Sequence, residues 1–347
     1  MTDGPKKTDG PKKTDGPKLT GGPEMTDGAE VTDTWLATPQ PVSDSSLPAR
    51  VQVYEVGPRD GLQAETQILS PEVKIEYCRR LIATGVTALE VTSFVPPSWI
   101  PQLADAEEVL AGFGRPESSR SISLVPNLRG LERSRAAGVT EVAIVASSTE
   151  SFARANLNKD LSGALRAAEE VIADAATTNT PVRGYLSMAF GDPWEGPVPL
   201  HTVVALATRL YEAGCSTIAL GDTIGVATPN QVSRTLEAVF EAGVPADRIA
   251  LHLHDTYGMA LANVRAALSL GINEFDSAAG GIGRCPYAKG ATGNLATEDL
   301  VWMLHGMGIE TGIDLEAMVQ TSQWMSAMLG KPVPSRVVTA RTAAAAL

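Results

Sequence analysis

At 347 residues and 44% hydrophobic, the chain can bury the core of one large α/β domain or of two ordinary ones. A formal net charge of −12 argues against nucleic acid or an anionic membrane surface as partner, and no apolar run approaches bilayer-spanning length. Three cysteines (Cys78, Cys215, Cys285) without a CxxC pair point to a reduced, cytoplasmic protein, not a disulfide scaffold or structural zinc site.

Residues 2–31 are five imperfect hexads, TDGPKK, TDGPKK, TDGPKL, TGGPEM and TDGAEV. A segment this poor in apolar residues cannot form a core, so it reads as a disordered tail reaching about Ser46, with the first domain boundary after residue 48. The period is too short for a solenoid unit. The start lacks the apolar stretch of a secretory signal and the Arg-rich, acid-poor character of a transit peptide. Met25 is a second candidate start.

From Arg50 the pattern changes to short β-branched runs alternating with amphipathic stretches. The runs are Val51–Val56, Ala88–Val91, Ser121–Val125, Glu141–Ala146, Val182–Met188, Thr217–Leu220, Ile249–His254 and Glu274–Ser277. Helical spacing lies between them, as in Pro71–Thr84, Leu161–Ala175, Leu200–Ala213 and Pro229–Glu241. Gly85, Gly138, Gly214, Gly243 and Gly271 stand where a helix must turn back into a strand. Eight strands with intervening helices over roughly 250 residues predict a (β/α)8 TIM barrel, an α/β fold, over 49–299. A doubly wound sheet is the alternative, but no Gly-rich phosphate fingerprint follows the first strand. Residues 300–347 read as helices packed on the barrel base or on a second subunit, and their apolar faces suggest a homodimer.

In a barrel, functional side chains gather where strands end. The segment Leu251-His252-Leu253-His254-Asp255 carries two of the chain's four histidines. At i and i+2 of a strand their rings share one face about 6–7 Å apart. Such a pair can hold a metal or can be two core imidazoles bonded to backbone. Barrel closure sets strand eight between strands seven and one, so Asp60, His252, His254 and Asn294 can converge. One carboxylate, two imidazoles and one amide oxygen leave room for further ligands, which suits Mg²⁺ or Mn²⁺ better than Zn²⁺. Glu90 and Asp222 end the second and sixth strands. Cys78 and Cys215 fall on apolar positions and read as core, whereas Cys285 lies in a glycine-rich loop beside Arg284, a cation that can lower a thiol pKa.

Four motifs carry a resemblance: Val56-Gly57-Pro58-Arg59-Asp60-Gly61-Leu62-Gln63, Gly221-Asp222-Thr223-Ile224-Gly225, His252-Leu253-His254-Asp255-Thr256-Tyr257-Gly258, and Cys285-Pro286-Tyr287-Ala288 through Gly293-Asn294-Leu295-Ala296-Thr297-Glu298-Asp299. From about Val51 to Gly330 the chain resembles the 3-hydroxy-3-methylglutaryl-CoA lyase family. His-x-His and Arg-Asp-Gly are shared with a wider superfamily of barrel metalloenzymes, and the Cys285 loop is the specific part. The resemblance implies divalent-metal-dependent cleavage of an acyl-CoA with a tertiary 3-hydroxyl into acetyl-CoA and acetoacetate. It implies that Asp60 or His252 takes the hydroxyl proton, Arg59 stabilises the thioester enolate and Cys285 supplies the quenching proton. Glu90 and Asp222 would orient metal ligands, water or Arg59, and Gln63 joins Arg59 in binding substrate.

Two positions depart from the family pattern: Arg284 replaces a usual Gly, and Asp192 stands where Cys is common. They are expected to pair when the loop closes. The rival expectation is that Arg284 reads a longer or branched acyl group. A Claisen-type synthase condensing acetyl-CoA with a 2-oxo acid is the enzymatic alternative, against which Gly57-Pro58 and the Cys285 loop argue. A catalytically dead barrel used as a binding scaffold is the alternative from another class.

Overall fold

The computed structural model describes Met1 and residues 38–114, 116–284 and 292–344. Thr38–Leu347 is one unit, separate from Met1–Ala37. Cys285 and the residues up to 291 lie outside the described part.

Eight parallel strands close into a barrel in chain order: β1 (Gln52–Glu55), β2 (Ala88–Ser93), β3 (Arg120–Leu124), β4 (Glu141–Ser147), β5 (Val182–Ser187), β6 (Thr217–Asp222), β7 (Ile249–Leu253) and β8 (Glu274–Ser277). The helices are α1 (Pro71–Ala83), α2 (Ala106–Phe113), α3 (Leu128–Ala136), α4 (Glu150–Leu157), α5 (Leu161–Ala176), α6 (Leu200–Ala213), α7 (Pro229–Glu241), α8 (Ala260–Leu268), α9 (Thr297–Gly306), α10 (Leu315–Leu329) and α11 (Arg336–Ala344). All eight predicted strands are present. The five glycines expected to end helices all take positive φ, Gly214 reaching 109°.

Local sequence explains the joints. Asn127, Asp160 and Asp314 cap α3, α5 and α10 by accepting from the N–H groups of Gly130, Gly163 and Ala317. The β4–β5 connection carries two helices: α5 belongs to the outer ring, and α4 is an extra turn of wall before it. Closure pairs Gln52 with Glu274 and Glu55 with Ser277, and β7 meets β8 with His252 opposite Asp276.

Two expectations change. Residues 38–48, assigned to the tail, make specific contacts: the Val42 N–H donates to the Gly306 carbonyl at 2.8 Å, and Leu47 is buried. The C-terminal helices do not stay at the base. The Glu310 N–H bonds Ala49 below β1, and α10 then climbs beside α1, where Trp324 lies 6.4 Å from the Tyr77 ring. Beyond it, the Ser335 N–H reaches the Gly280 carbonyl above β8 at 3.0 Å. The apolar face that suggested a homodimer (Met318, Val319, Met325, Leu329) is buried within the chain. No helix among the described residues is long and apolar enough to cross a membrane.

Candidate active site

The site begins where β1 stops. The Val56 carbonyl accepts from three successive N–H groups, those of Arg59, Asp60 and Gly61, at 3.1, 2.8 and 3.1 Å. This widened turn over Gly57–Gly61 buries Arg59 and presents Asp60 beside it. The two oxygens of Asp60 divide their work. Oδ1 takes Arg59 Nη1 at 2.6 Å, whereas Oδ2 faces His252 Nε2 at 3.9 Å and His254 Nε2 at 4.0 Å.

Ligand atoms of Asp60, His252 and His254 all lie within 4.8 Å of one another, which makes them a possible metal-binding triad. The approaches near 4 Å are too long for hydrogen bonds, but two atoms each about 2.1 Å from one ion stand up to about 4.2 Å apart. Asn294 joins them because residues 293–295 bond back to β7: Leu295 N–H to Leu253, and Asp255 N–H to Gly293. Its Nδ2 donates to Asp60 Oδ2 at 2.8 Å, while its buried Oδ1 has no hydrogen-bond partner among the described residues. Gly283 leaves the space for this amide: a Cβ there would stand 2.7 Å from Asn294 Nδ2. Two imidazoles, a carboxylate and an unclaimed amide oxygen fit a divalent cation.

Charge is concentrated here. Burial opposes ionisation of Asp60, but Arg59 and the two histidines outweigh it and bring its pKa to about 2. Burial, helped by the neighbouring His252, pushes His254 down to about 4. Burial also works against His252⁺, yet its bond to Asp276 and the carboxylates of Asp276 and Asp60 raise it above the ordinary value.

Glu90 is bonded to Arg59. Its Oε2 accepts from Arg59 Nη2 and from the Tyr185 hydroxyl, both at 2.9 Å. Asp222, grouped with Glu90 as an orienting residue, is bonded here to backbone. Both its oxygens are taken by backbone N–H groups of Val226 and Ala227, at 2.9 and 3.0 Å, so it shapes the loop after β6. Burial raises it to about 6. Gln63 lines the cavity with Arg59, Asp60 and both histidines. Cys78 and Cys215 are buried, as expected of core residues.

The expected pairing of Asp192 with Arg284 is not formed. Asp192 is buried and bonded to Thr149, Trp194 and Glu195, while the Arg284 guanidinium lies 3.4 Å from the Ala64 carbonyl.

Several residues of the site escaped the sequence reading. Asp276 Oδ2 holds His252 Nδ1 at 3.0 Å, which fixes the tautomer and turns Nε2 towards Asp60. Arg183 crosses the barrel from β5 to pair with both Glu274 and Asp276. An Arg in Val182–Ser187 and an Asp in Glu274–Ser277, charges inside short apolar strands, were the available signal. Glu55 and Glu298 were missed too. Glu55 accepts from Gly57 N–H, Ala279 N–H and the Thr297 hydroxyl at 2.8, 3.0 and 2.6 Å, and Glu298 accepts from Gly280 N–H and Ser322. These two buried carboxylates tie the Arg59–Asp60 turn to the segment after β8.

Above the cluster opens a cavity of roughly 870 Å³, which runs across the barrel mouth to α4, where Arg154, Asn156 and Lys159 line it.

The family model HMGL-like matches residues 50–325. The cytoplasmic 3-hydroxy-3-methylglutaryl-CoA lyase of Rattus norvegicus is 46% identical over 296 residues, 85% of this chain and 86% of its own length. The crystal structure of the Bacillus subtilis HMG-CoA lyase aligns with a TM-score of 0.83 at 46% identity, covering 85% of this chain and 99% of that one. An HMG-CoA lyase from Acinetobacter baumannii, solved in complex with coenzyme A and 3-methylmalate, aligns with a TM-score of 0.81 at 36% identity, covering 86% and 97%. The family model's match to residues 50–325, with these relatives covered over most of their length, places the chain in the HMGL-like family.

Proposed function

We propose that this chain is a metal-dependent carbon–carbon lyase that cleaves 3-hydroxy-3-methylglutaryl-CoA to acetyl-CoA and acetoacetate. The observation that carries the reading is the divided carboxylate of Asp60, with Arg59 on one oxygen and two imidazoles facing the other. The arrangement sets a cation-binding corner beside a fixed guanidinium, as scission to an enolate requires.

Asp60, His252, His254 and Asn294 are the residues that would hold the ion, Mg²⁺ or Mn²⁺ from their mix of oxygen and imidazole nitrogen. A bound divalent ion would supply Lewis acidity at the C3 hydroxyl. Asp60 and His252 are the groups positioned to accept the hydroxyl proton. As the C2–C3 bond breaks, its electron pair passes to the acetyl-CoA fragment and the C3 oxygen becomes the ketone of acetoacetate. Arg59, immobilised between Asp60 and Glu90, faces the developing enolate and stabilises it. Cys285 donates the proton that quenches the carbanion, a role resting on the family resemblance of its loop. Gln63 contacts substrate from the same wall as Arg59.

The far end of the cavity suits the coenzyme. Arg154 and Lys159 line it, and cations of this kind match the phosphates of coenzyme A. The cytoplasmic placement rests on the reduced cysteines and on the compartment named for the rat relative.

The test is product release from 3-hydroxy-3-methylglutaryl-CoA, set against longer 3-hydroxyacyl-CoAs and against 2-oxo acids with acetyl-CoA. Rapid, metal-dependent acetyl-CoA release from the first substrate, lost in Cys285→Ala, is expected. A preference for a longer acyl chain would transfer the specificity to Arg284, and condensation without cleavage would overturn the reading.

A further inference from the structure

The loop after β5 holds the loop after β4 through bonds that the proposed chemistry does not use. Asp192 and Gly196 exchange backbone hydrogen bonds, both 2.9 Å, and close a tight turn. Inside it Asp192 Oδ1 accepts from the N–H groups of Trp194 and Glu195 at 2.7 and 2.8 Å. Its second oxygen leaves the loop. Oδ2 accepts the Thr149 hydroxyl at 2.6 Å, and both residues are buried.

Thr149 is the N-cap residue of α4, yet its side chain does not cap its own helix. Glu195 supplies a cap from outside: its Oε1 accepts the first-turn N–H of Ser151 at 2.6 Å. Two neighbouring carboxylates of one loop therefore grip the start of a helix on another. At eight residues α4 is too short to persist on intrinsic helicity, and its order depends on such holds. It matters to the site because Phe152, Arg154 and Asn156 line the cavity, with Lys159 just beyond the helix.

We infer that Asp192, with Glu195, is a positioning residue that presets the α4 wall for the coenzyme end of the substrate; this rests on the reading that the wall receives coenzyme A. The departure from Cys at position 192 then has a local use. A thiolate-sized group could not span the turn's N–H pair and the Thr149 hydroxyl together, whereas a carboxylate does both.

The experiment uses the full chain, free coenzyme A as the calorimetric probe, steady-state kinetics and amide hydrogen exchange without ligand. Thr149→Val keeps the shape and removes the bond to Asp192, with the 3.4 Å contact to the Ser147 hydroxyl, while the Glu195–Ser151 bond stays. It should raise KM and weaken coenzyme A binding about tenfold, the scale of one lost bond to a charged group, with kcat within about twofold. The amides of 151–157 should exchange faster. Asp192→Asn, whose amide can satisfy the turn and donate to the Thr149 oxygen, should restore most of the binding that Asp192→Ala loses. Unchanged exchange and unchanged binding in Thr149→Val would overturn the inference, as would a loss confined to kcat. A wild-type chain that ignores coenzyme A would overturn the reading beneath it, and exchange, measured without ligand, separates that failure from failure of the hold.

Discussion

The two sides of the barrel mouth are built differently. On the β7–β8–β1 side buried charges fix groups at or near the strand ends: Arg59 by Asp60 and Glu90, His252 by Asp276, and Asp276 by Arg183. On the opposite side the wall is a short inserted helix, held at its start by one hydroxyl and one backbone N–H given to a neighbouring loop. The first construction holds its side chains from several directions at the cost of desolvated charge; the second holds its helix by two bonds at one end. On the proposed function, bond making and breaking falls to the rigid side, and grip on the coenzyme to the adjustable one. Substitutions on the first side should therefore change kcat or metal affinity, and those on the second KM.

The largest effect is expected from Asp60→Asn. With the carboxylate gone, the cation corner and the Arg59 anchor fail together, and kcat should fall on the order of 10³-fold or more. Calorimetry with Mn²⁺ should find no strong site. Retained binding with normal turnover would place the metal elsewhere.

Arg59→Lys comes next. A lysine keeps the charge but cannot reach Asp60 and Glu90 at once, so kcat should fall about 10²–10³-fold while Mn²⁺ still binds. Equal loss of both would mean that Arg59 serves the metal rather than the enolate.

Asp276→Asn tests the support behind the ligands. It should weaken Mn²⁺ binding about 10–100-fold, and an accompanying fall in Tm would register Arg183, which keeps only its pair with Glu274, a loss smaller than the ~3–5 kcal/mol of a fully broken buried pair. Unchanged metal affinity would leave Asp276 a purely structural partner.

The smallest effect concerns pH. Burial raises Glu298 to about 8, with the Glu55 charge adding to it against the bonds from Ser322 and Gly280. A carboxyl raised on folding stabilises the native state fully below its unfolded pKa, and that contribution is lost as pH climbs through about 8. Glu298→Gln, neutral throughout, should flatten the decline of Tm between pH 6 and 9. Parallel profiles for the two proteins would contradict the assignment.

What the sequence revealed follows the range of each interaction. The barrel was legible because strand runs, helical spacing and turning glycines are local signals. The grouping of Asp60 with the two histidines was legible because His252 and His254 stand at and just past the end of one strand and Asp60 follows another whose place is set by closure. Arg183 and Asp276 were not, since they meet across the barrel at a sequence separation of 93 residues with no local motif. The backbone partners of Asp222 were illegible too: N–H groups four and five residues on, at Val226 and Ala227, bond its carboxylate, and no motif marks that turn. Nor did the sequence show that the turn at 193–196 takes one Asp192 oxygen and the Thr149 hydroxyl the other.

The central claim is that one cation held by Asp60, His252, His254 and Asn294 makes the rigid side competent for cleavage. The direct measurement titrates metal-free protein with Mn²⁺, following bound ion by electron paramagnetic resonance and acetyl-CoA release in the same samples. Both curves should rise together and saturate at one ion per chain. Substantial turnover before any ion is bound, or saturation of the site without turnover, would contradict the account.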